Sequence, residues 1–490
     1  IKHIIMYRTV ILVLLMMCIY NVDVSTGTHY RRNRNDYDHY VGAVLEYAPV
    51  NYNFTGGDPS ANAITYMTLN LDIYQLYAQE AATAGAQIII FPEYGILGVN
   101  FDTRDTVYPY LENIPDPTQS LFPIIPCGDS DFDDRVVLQT LSCMAIKNKI
   151  YVVADMGDVQ PCTNETTPDC PSDGRFQYNT LVSFSAGGQL LARYHKTHLF
   201  GESSYFDAAA PEAITFETSF GVTFGMMICF DIMYEQPQTM LLEKGIKHLS
   251  YASAWDNGNY LYARQMQQSW SYLNSANLLA ANIGENFFTS GSGLYTSGNV
   301  LASTVNPTMV PGTKLLIARL PVDPVPANEH RRRHTPMPLG DLPPQGLNGS
   351  TVVPFTPEPT EQGVVVASNN GLECTLSYQM SEQPTGELFA LISYNQEFAD
   401  YFNLQICYLT KCLNNTLEGC QYMVFDSETM FSSVTISGNF DLTRYHLNPT
   451  VNTIPMGNFL DGYTNGTNYF TAQQINAPLI SMSLMGIQWI

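Results

Sequence analysis

Short apolar runs separated by segments of helical periodicity constrain the fold of the first half of this chain more than any other feature. Runs at 88–91, 150–154, 222–229 and 248–253 have the length of buried strands. Between them, apolar residues recur at helical spacing, as over 135–147. Strands that alternate with helices predict an α/β domain.

The second half of the chain has a different character. From Pro321 to about residue 360 it is rich in proline and contains Arg331-Arg332-Arg333, which favours a linker or a long surface loop. Beyond that stretch short strands alternate with turns, ending in the alternating segment 480–484. The predicted segments are an α/β domain over 27–325, a Pro-rich linker over 326–362 and a β-rich, disulfide-stapled domain over 363–490.

The N-terminus has the pattern of a secretory signal peptide over 1–26. Arg8 precedes an apolar run at 10–19, which is too short to span a bilayer. Met6 stands where such a peptide begins, so 1–5 is interpreted as an upstream translation artefact; the alternative is a buried N-terminal helix. Glycosylation sequons support secretion, at Asn53, Asn164, Asn348, Asn414 and Asn465. We expect a secreted, extracellular glycoprotein with no transmembrane segment and no GPI-anchor signal.

The formal net charge of -23 argues against two classes of partner. So acidic a chain repels phosphate backbones and anionic lipid surfaces, and we therefore expect no nucleic acid partner and no charged membrane partner. The sequence has no CxxC motif and no His-rich group with zinc spacing, which predicts that no metal is bound. We expect no organic cofactor, and the oligomeric state stays open.

The count of ten cysteines predicts one free thiol. Cys18 leaves with the signal peptide, so nine remain, and in an oxidising compartment an odd number leaves one unpaired. Cys229 lies directly in an apolar strand, whereas Cys162 and Cys170 flank a short polar loop and are expected to pair. The disulfide candidates are Cys127, Cys143, Cys162, Cys170, Cys374, Cys407, Cys412 and Cys420. The last four are expected to form two bridges, whose connectivity spacing leaves open.

Three reactive side chains follow predicted strands. Glu93 follows the first apolar run, Lys196 follows the second strand of a predicted hairpin, and Cys229 closes the run that begins at residue 222. Ligands of open α/β sheets bind outside the carboxyl ends of the strands, so these side chains can converge. A carboxylate that takes the thiol proton and an ammonium that stabilises an oxyanion suit amide hydrolysis. The backbone N–H of Phe230 is a candidate second oxyanion donor.

Each of these residues also has a purely structural interpretation. A cysteine in an apolar strand is more often an inert core residue, Glu93 can be a turn carboxylate, and Lys196 a surface cation. His195 and His198 suggest a Cys–His dyad instead. They flank Lys196, however, and a positioning or structural role is favoured for both.

Three segments in this order, 91–93, 194–202 and 229–232, resemble the signature blocks of the nitrilase superfamily, and within it the branch of vanins and biotinidases. The segment 404–412 resembles that branch's C-terminal domain. The resemblance implies a nitrilase-type αββα sandwich followed by a second, mostly β domain. It also implies the catalytic residues: Glu93 as proton acceptor, Lys196 as proton donor and oxyanion stabiliser, and Cys229 as nucleophile. We expect Phe230, Asp231, His195 and Trp255 to have supporting roles.

The resemblance further implies an amide of pantetheine or biotin as the small-molecule substrate. We predict a secreted carbon–nitrogen hydrolase that converts pantetheine to pantothenate and cysteamine through a thioester acyl-enzyme. Two alternatives stay open, namely biotinidase-type cleavage of biocytin and a non-catalytic binding or storage protein with the same fold. Met233 stands where many nitrilase relatives carry arginine, which bears on the shape of the pocket.

Overall fold

The computed structural model describes residues 38–489 except for 53–55, 166, 259–261, 326–348, 360–361, 383, 399–400, 423, 425, 454–467, 474 and 476. The predicted signal peptide and the arginine run at 331–333 lie outside the described residues, as do the sequons Asn53, Asn348 and Asn465. Among the residues that the structure describes, no helix is both long and apolar enough to cross a bilayer.

Two mixed β-sheets form the first domain. Its strands are β1 (His39–Glu46), β2 (Ile88–Ile90), β3 (Leu111–Glu112), β4 (Tyr151–Pro161), β5 (Arg175–Phe184), β6 (Leu190–His195), β7 (Thr215–Glu217), β8 (Thr223–Ile228), β9 (His248–Ser253), β10 (Asn277–Asn282), β11 (Ser292–Thr296), β12 (Asn299–Thr304) and β13 (Lys314–Pro321). The first sheet has the order β13-β1-β2-β4-β5-β6, with β3 beside β4, and the second has the order β12-β11-β10-β9-β8-β7. β2 and β8 lie inside their sheets, which places the ends of both strands near the middle of the domain.

The two sheets face each other across an apolar layer. Ile88 and Ile90 of β2 lie in one buried cluster with Met226 and Ile228 of β8. Ile89 points to the other face of its sheet and packs in a second cluster with helical residues. Successive side chains of a strand alternate between faces, so a strand buried on both faces must be apolar throughout. This requirement explains the unbroken apolar runs of the sequence.

Helices cover the outer faces of both sheets. They are α1 (Pro59–Thr83), α2 (Arg104–Val107), α3 (Val136–Asn148), α4 (Gln238–Glu243) and α5 (Ala263–Leu273). The Asp58 side chain caps α1 by accepting from Ala61 N, and Pro59 occupies the first turn. Helices α1 and α3 pack on the first sheet, and α5 lies against β10, β11 and β12 of the second. The αββα layering implied by the resemblance is confirmed.

The second domain is mostly β, as predicted, and consists of two antiparallel sheets. Its strands are β14 (Thr351–Phe355), β15 (Gly363–Asn369), β16 (Leu372–Met380), β17 (Phe389–Phe398), β18 (Phe402–Lys411), β19 (Phe431–Gly438), β20 (His446–Thr453), β21 (Tyr469–Gln473) and β22 (Leu479–Trp489). The sheet orders are β14-β17-β18-β22-β20 and β15-β16-β19-β21. Gln265 of α5 joins this domain to the first, because its amide donates to Thr450 Oγ1 at 3.4 Å and to Ser481 Oγ at 3.3 Å.

Part of the segment predicted as a linker is a strand. Residues Thr351–Phe355 form β14, which pairs antiparallel with β17 at the edge of its sheet. Pro354 lies within β14, and proline is tolerated there because an edge strand has one side without a ladder partner. The prediction of a linker over 326–362, which rested on proline content, is therefore wrong for residues 351–355.

Four disulfides lie within the described part of the chain, namely Cys127–Cys143, Cys162–Cys170, Cys374–Cys407 and Cys412–Cys420. The bridge between Cys162 and Cys170 closes the short polar loop between them. In the second domain the structure supplies the connectivity that the sequence left open. Cys229 is free and buried.

Candidate active site

Three buried reactive groups meet near the ends of β2, β6 and β8. Glu93 comes three residues after β2, Lys196 directly follows β6, and Cys229 directly follows β8. Their exposed fractions are 1%, 2% and 6%. Residues so distant in sequence converge because β2 and β6 belong to one sheet and β8 to the sheet that faces it.

Both oxygens of Glu93 are held by donors. Lys196 Nζ donates to Oε1 at 2.7 Å and Asn179 Nδ2 donates to the same oxygen at 2.8 Å. The backbone N–H of Ala254 donates to Oε2 at 2.6 Å. A carboxylate with three fixed donors has one orientation, and that orientation is set before any substrate binds.

A second buried carboxylate, Glu202, belongs to the same cluster and was not singled out from the sequence. Lys196 Nζ forms an ion pair with Glu202 Oε1 as well as with Glu93. The Tyr94 hydroxyl donates to Glu202 Oε2, and Asn179 Nδ2 lies 3.2 Å from the same oxygen. Glu202 lies in the same sequence block as Lys196, which is the signal that identifies it.

The cluster holds two carboxylates and one ammonium in a dry environment. Burial lowers the pKa of Lys196, but the charges of Glu202 and Glu93 outweigh it and hold that pKa well above its usual range. Burial raises the pKa of Glu93, and the Lys196 charge does not cancel the rise because Glu202 adds to it. Lys196 therefore stays cationic, while Glu93 is a stronger base than an exposed carboxylate.

Cys229 lies at a sharp turn between β8 and a 3-10 helix (Cys229–Met233). Its φ of 44° is in the left-handed region, which side chains other than glycine seldom adopt. The Tyr251 hydroxyl donates to the Cys229 carbonyl at 2.8 Å. This turn aims the sulfur away from the strand, and the thiol lies within hydrogen-bonding reach of Glu93 and of the Ala254 N–H.

The surroundings of Cys229 favour the protonated thiol. Burial raises the pKa of Cys229 well above its usual range, and the neighbouring Glu93 charge raises it further against the opposing effect of Lys196. A thiol becomes nucleophilic only as its proton leaves. The Glu93 carboxylate lies beside the thiol and is a candidate acceptor for this proton.

The Asp231 carboxylate links the turn at Cys229 to the segment that carries Lys196 through hydrogen bonds. Its Oδ2 accepts from the Tyr194 hydroxyl at 2.7 Å and from Ile228 N at 3.1 Å, and its Oδ1 accepts from His198 N at 2.9 Å. Burial raises the pKa of Asp231 to about 7. Asp231 therefore supports the site through backbone and hydroxyl contacts.

A further buried carboxylate, Asp155 of β4, supports the turn after Glu93 and was also missed from the sequence. Its Oδ1 accepts from the backbone N–H of Tyr94 at 2.8 Å. Tyr94 has a φ of 58°, so both Glu93 and Cys229 belong to turns with left-handed backbone. Nothing in the alternating run of β4 distinguished Asp155 from an ordinary strand residue.

The structure does not bring either predicted histidine to the thiol. His195 Nε2 lies 2.7 Å from Asp158 Oδ2, and its ring stacks on Tyr178 with centroids 4.0 Å apart. His198 stacks on the Tyr234 ring at 3.7 Å and its Nε2 lies 2.9 Å from the Gln236 carbonyl. The alternative of a Cys–His dyad is therefore wrong, and His195 has a structural role on the neighbouring strand.

The Cys229 side chain lines a cleft of about 460 Å³. Its lining is mostly aromatic and aliphatic, and comprises Phe200, Cys229, Phe230, Met233, Ala254, Trp255, Asp256, Gly258 and Phe398. Trp255, a predicted supporting residue, lies in this wall. Phe398 comes from the second domain and was not predicted. A mostly apolar cleft with a few polar or reactive groups in its lining is the usual form of a small-molecule site.

The other sequence predictions concern groups outside the cleft. The sequons Asn164 and Asn414 are exposed, as glycosylation requires. No group of three or more His, Cys, Asp and Glu side chains in the described ranges is arranged to hold a metal ion.

The free thiol gives a first testable prediction. Without reductant, iodoacetamide should label one cysteine per molecule, Cys229, because the other described cysteines are in disulfides. The labelling rate should rise as the pH is raised, since burial raises the pKa of this thiol. Peptide mapping by mass spectrometry measures both. Recovery of Cys229 in a disulfide-linked peptide would exclude it as nucleophile.

Comparison with known proteins agrees with this geometry. Residues 67–282 match the carbon-nitrogen hydrolase family, and residues 349–489 match the vanin C-terminal domain. A pantetheinase of Mus musculus is 37% identical over 435 residues, covering 83% of this chain and 80% of that protein. A biotinidase of Takifugu rubripes is 39% identical over 292 residues, covering 58% of this chain and 56% of that protein. The solved structure of an amidase from Nesterenkonia sp. has 19% identity and a TM-score of 0.40, covering 59% of this chain and 92% of that one.

The fold, the site and these relatives define an amidohydrolase that acts on carbon–nitrogen bonds. Within that class, the chain belongs to the vanin and biotinidase branch of the nitrilase superfamily.

Proposed function

We propose that this protein is a secreted enzyme that hydrolyses pantetheine to pantothenate and cysteamine, through a thioester on Cys229. The observation that carries the proposal is the position of Glu93, which bonds Lys196 and lies within hydrogen-bonding reach of the Cys229 thiol beside an apolar cleft. This arrangement supplies a base, a cation and a nucleophile in one place.

The first half-reaction forms the acyl-enzyme. Glu93 takes the proton of Cys229 as the sulfur attacks the amide carbonyl carbon. The oxygen of the tetrahedral intermediate gains a negative charge, which the Lys196 ammonium and the Phe230 backbone N–H stabilise. Glu93 then gives the proton to the amide nitrogen, the C–N bond breaks, and the amine leaves.

The second half-reaction hydrolyses the acyl-enzyme and regenerates the free enzyme. Water attacks the thioester carbonyl while Glu93 takes one of its protons, and the same cation stabilises the oxyanion. The C–S bond then breaks, the acid is released, and the proton passes from Glu93 back to the sulfur. Glu202 supports both steps because its charge keeps Lys196 protonated.

The choice of substrate rests on how far the relatives match. The pantetheinase of Mus musculus matches 83% of this chain, whereas the biotinidase of Takifugu rubripes matches 58%. The identity of 39% over that shorter stretch makes biotinidase-type cleavage the second candidate. Secretion is supported by the leader pattern, the exposed sequons and the disulfides, which persist in oxidising compartments.

A direct comparison of two amides tests the substrate. We expect the purified protein to release cysteamine from pantetheine with a kcat/KM at least about 10-fold above that for biocytin, because one cleft discriminates between acyl groups by the contacts they make. Cysteamine and lysine release are measured on the same preparation, with Cys229→Ala protein as the blank. A higher kcat/KM for biocytin than for pantetheine would show that biocytin is the preferred substrate. No turnover of either by protein with a free Cys229 would favour a binding or storage protein.

A further inference from the structure

Both domains contribute to the cleft beside Cys229. Phe398 lies at the end of β17 in the second domain and lines the same cleft as Cys229 and Trp255. The second domain is therefore part of the wall of the site, and the first domain alone does not enclose the nucleophile as the whole chain does.

Tyr401, which directly precedes β18, contacts the first domain close to the triad. The Tyr401 hydroxyl accepts a hydrogen bond from Gly201 N at 3.1 Å, and Gly201 lies on the segment between Lys196 and Glu202. The Tyr401 ring lies 5.0 Å from the ring of Phe230, the residue that follows the nucleophile. These contacts hold Tyr401 against the residue that follows Cys229.

The Phe398 side chain is backed by a second ring. It stacks on Phe402 with ring centroids 5.3 Å apart and ring planes 9° apart. Phe402 is fully buried and lies 5.9 Å from Phe230. A side chain whose rotamer is supported in this way is preorganised to contact a ligand.

We propose that Phe398 determines specificity by contacting the acyl chain of the substrate. This inference deepens the proposed function and rests on it for the identity of that chain. The cleft's lining is mostly apolar and includes one carboxylate, Asp256, so it favours an uncharged chain over an anionic one. The pantothenoyl group has this chemistry, because it is uncharged and carries a gem-dimethyl group, whereas the cysteamine leaving group is short.

Two substrates with the same leaving group separate a specificity role from a structural one. In Phe398→Ala, kcat/KM for pantetheine should fall by about 10-fold or more, mainly through KM, as expected for lost apolar contact. N-acetylcysteamine has an acyl group that is too short to extend along the cleft. For this substrate the kcat/KM of Phe398→Ala should differ from the wild-type value by less than about 2-fold. Phe398→Leu should recover most of the loss. Equal losses for both substrates would overturn the proposal.

A matched control uses the surface of the same domain. Leu417 is 54% exposed, so Leu417→Ala removes an apolar side chain of the second domain without touching the cleft. Both rates should stay at the wild-type value in this variant. Thermal unfolding of the two Phe398 variants tests whether each retains the fold. If Phe398→Ala does not fold, the same comparison of substrates is made with Phe398→Leu.

Alkylation of Cys229 tests the same wall without any substrate. The sulfur displaces iodide from iodoacetamide or N-benzyl iodoacetamide, forming a C–S bond while its proton passes to Glu93. Phe398→Ala should lower the rate for the benzyl reagent relative to iodoacetamide several-fold, because the apolar contact is lost. A relative rate that stays constant or rises overturns the proposal. Because this ratio needs no turnover, it is decisive even if pantetheine proves not to be the substrate.

Discussion

Replacement of Cys229 by alanine is expected to lower kcat by about 10⁶-fold, the scale observed when a covalent nucleophile is removed from a hydrolase. In the proposed mechanism the sulfur is the atom that bonds the acyl group, so no other side chain of the cluster can take its place. The fold should be retained, because alanine fits the same buried turn and leaves the Asp231 and Tyr251 contacts to the backbone intact. Initial rates with pantetheine, together with thermal unfolding, check both parts.

Two further variants make this result interpretable. Glu93→Gln keeps a side chain of the same shape but cannot accept a proton, so activity should be almost as low as in the nucleophile variant. His195→Gln removes a ring that contacts Asp158 instead of the thiol and should retain most of the activity. Wild-type turnover in a folded Cys229→Ala protein would rule out a mechanism through a thioester on Cys229.

The triad could be predicted because its members follow strands that the sequence marks clearly. The runs before Glu93 and Cys229 are apolar on both faces, which identified buried strands and placed polar residues at their ends. Residue type then gave the chemistry, and the resemblance gave the roles. The same reasoning applied to Lys196, which directly follows β6.

Asn179, Asp155 and Phe398 could not be predicted, because each is an ordinary residue in its own segment. Asn179 and Asp155 lie within strands, and their contacts with Glu93 and Tyr94 depend on how neighbouring strands align. Phe398 reaches the cleft from a different domain, and no local pattern encodes a contact between residues 398 and 229. Burial of Glu202 beside Lys196 is likewise a property of the assembled site.

The second large effect is expected on stability, in Lys196→Met. The substitution leaves Glu93 and Glu202 buried without their cation, and breaking a buried ion pair in this way typically costs ~3–5 kcal/mol. Activity should fall by about 10²–10³-fold or more, because an oxyanion donor is lost. Chemical denaturation and initial rates measure the two effects on one preparation.

The stability loss in Lys196→Met should depend on pH in a defined direction. Without the ammonium, the Lys196 charge no longer opposes the raised pKa of Glu93, so the folded state of the variant holds a proton that the unfolded state releases. Folding then loses stability as the pH rises above the pKa of an unfolded carboxyl. The variant should therefore be closer to wild type near pH 5 than near pH 8. A loss that is the same at both values would mean that the two carboxylates do not share one cation.

Lys411 provides the matched control, because it also lies between two carboxylates. Its partners are Glu387 and Asp426, both at 2.9 Å, but Asp426 is 61% exposed. Lys411 and Glu387 are 12% and 15% exposed, so water reaches this cluster more than the Lys196 cluster, and Lys411→Met should destabilise the fold less than Lys196→Met and leave activity unchanged. The difference between the two variants then measures burial of the charge cluster, because the kind of substitution is the same.

A double variant separates the structural role of Lys196 from its catalytic role. Lys196→Met with Glu202→Gln removes one positive and one negative charge, so a single carboxylate, Glu93, stays in the cluster. Stability should recover relative to Lys196→Met alone, with a coupling energy of about 0.5–3 kcal/mol between the two sites. Activity should stay low, because no cation stabilises the oxyanion. Recovery of activity together with stability would show that Lys196 only holds the fold, and would leave oxyanion stabilisation to backbone donors such as the Phe230 N–H.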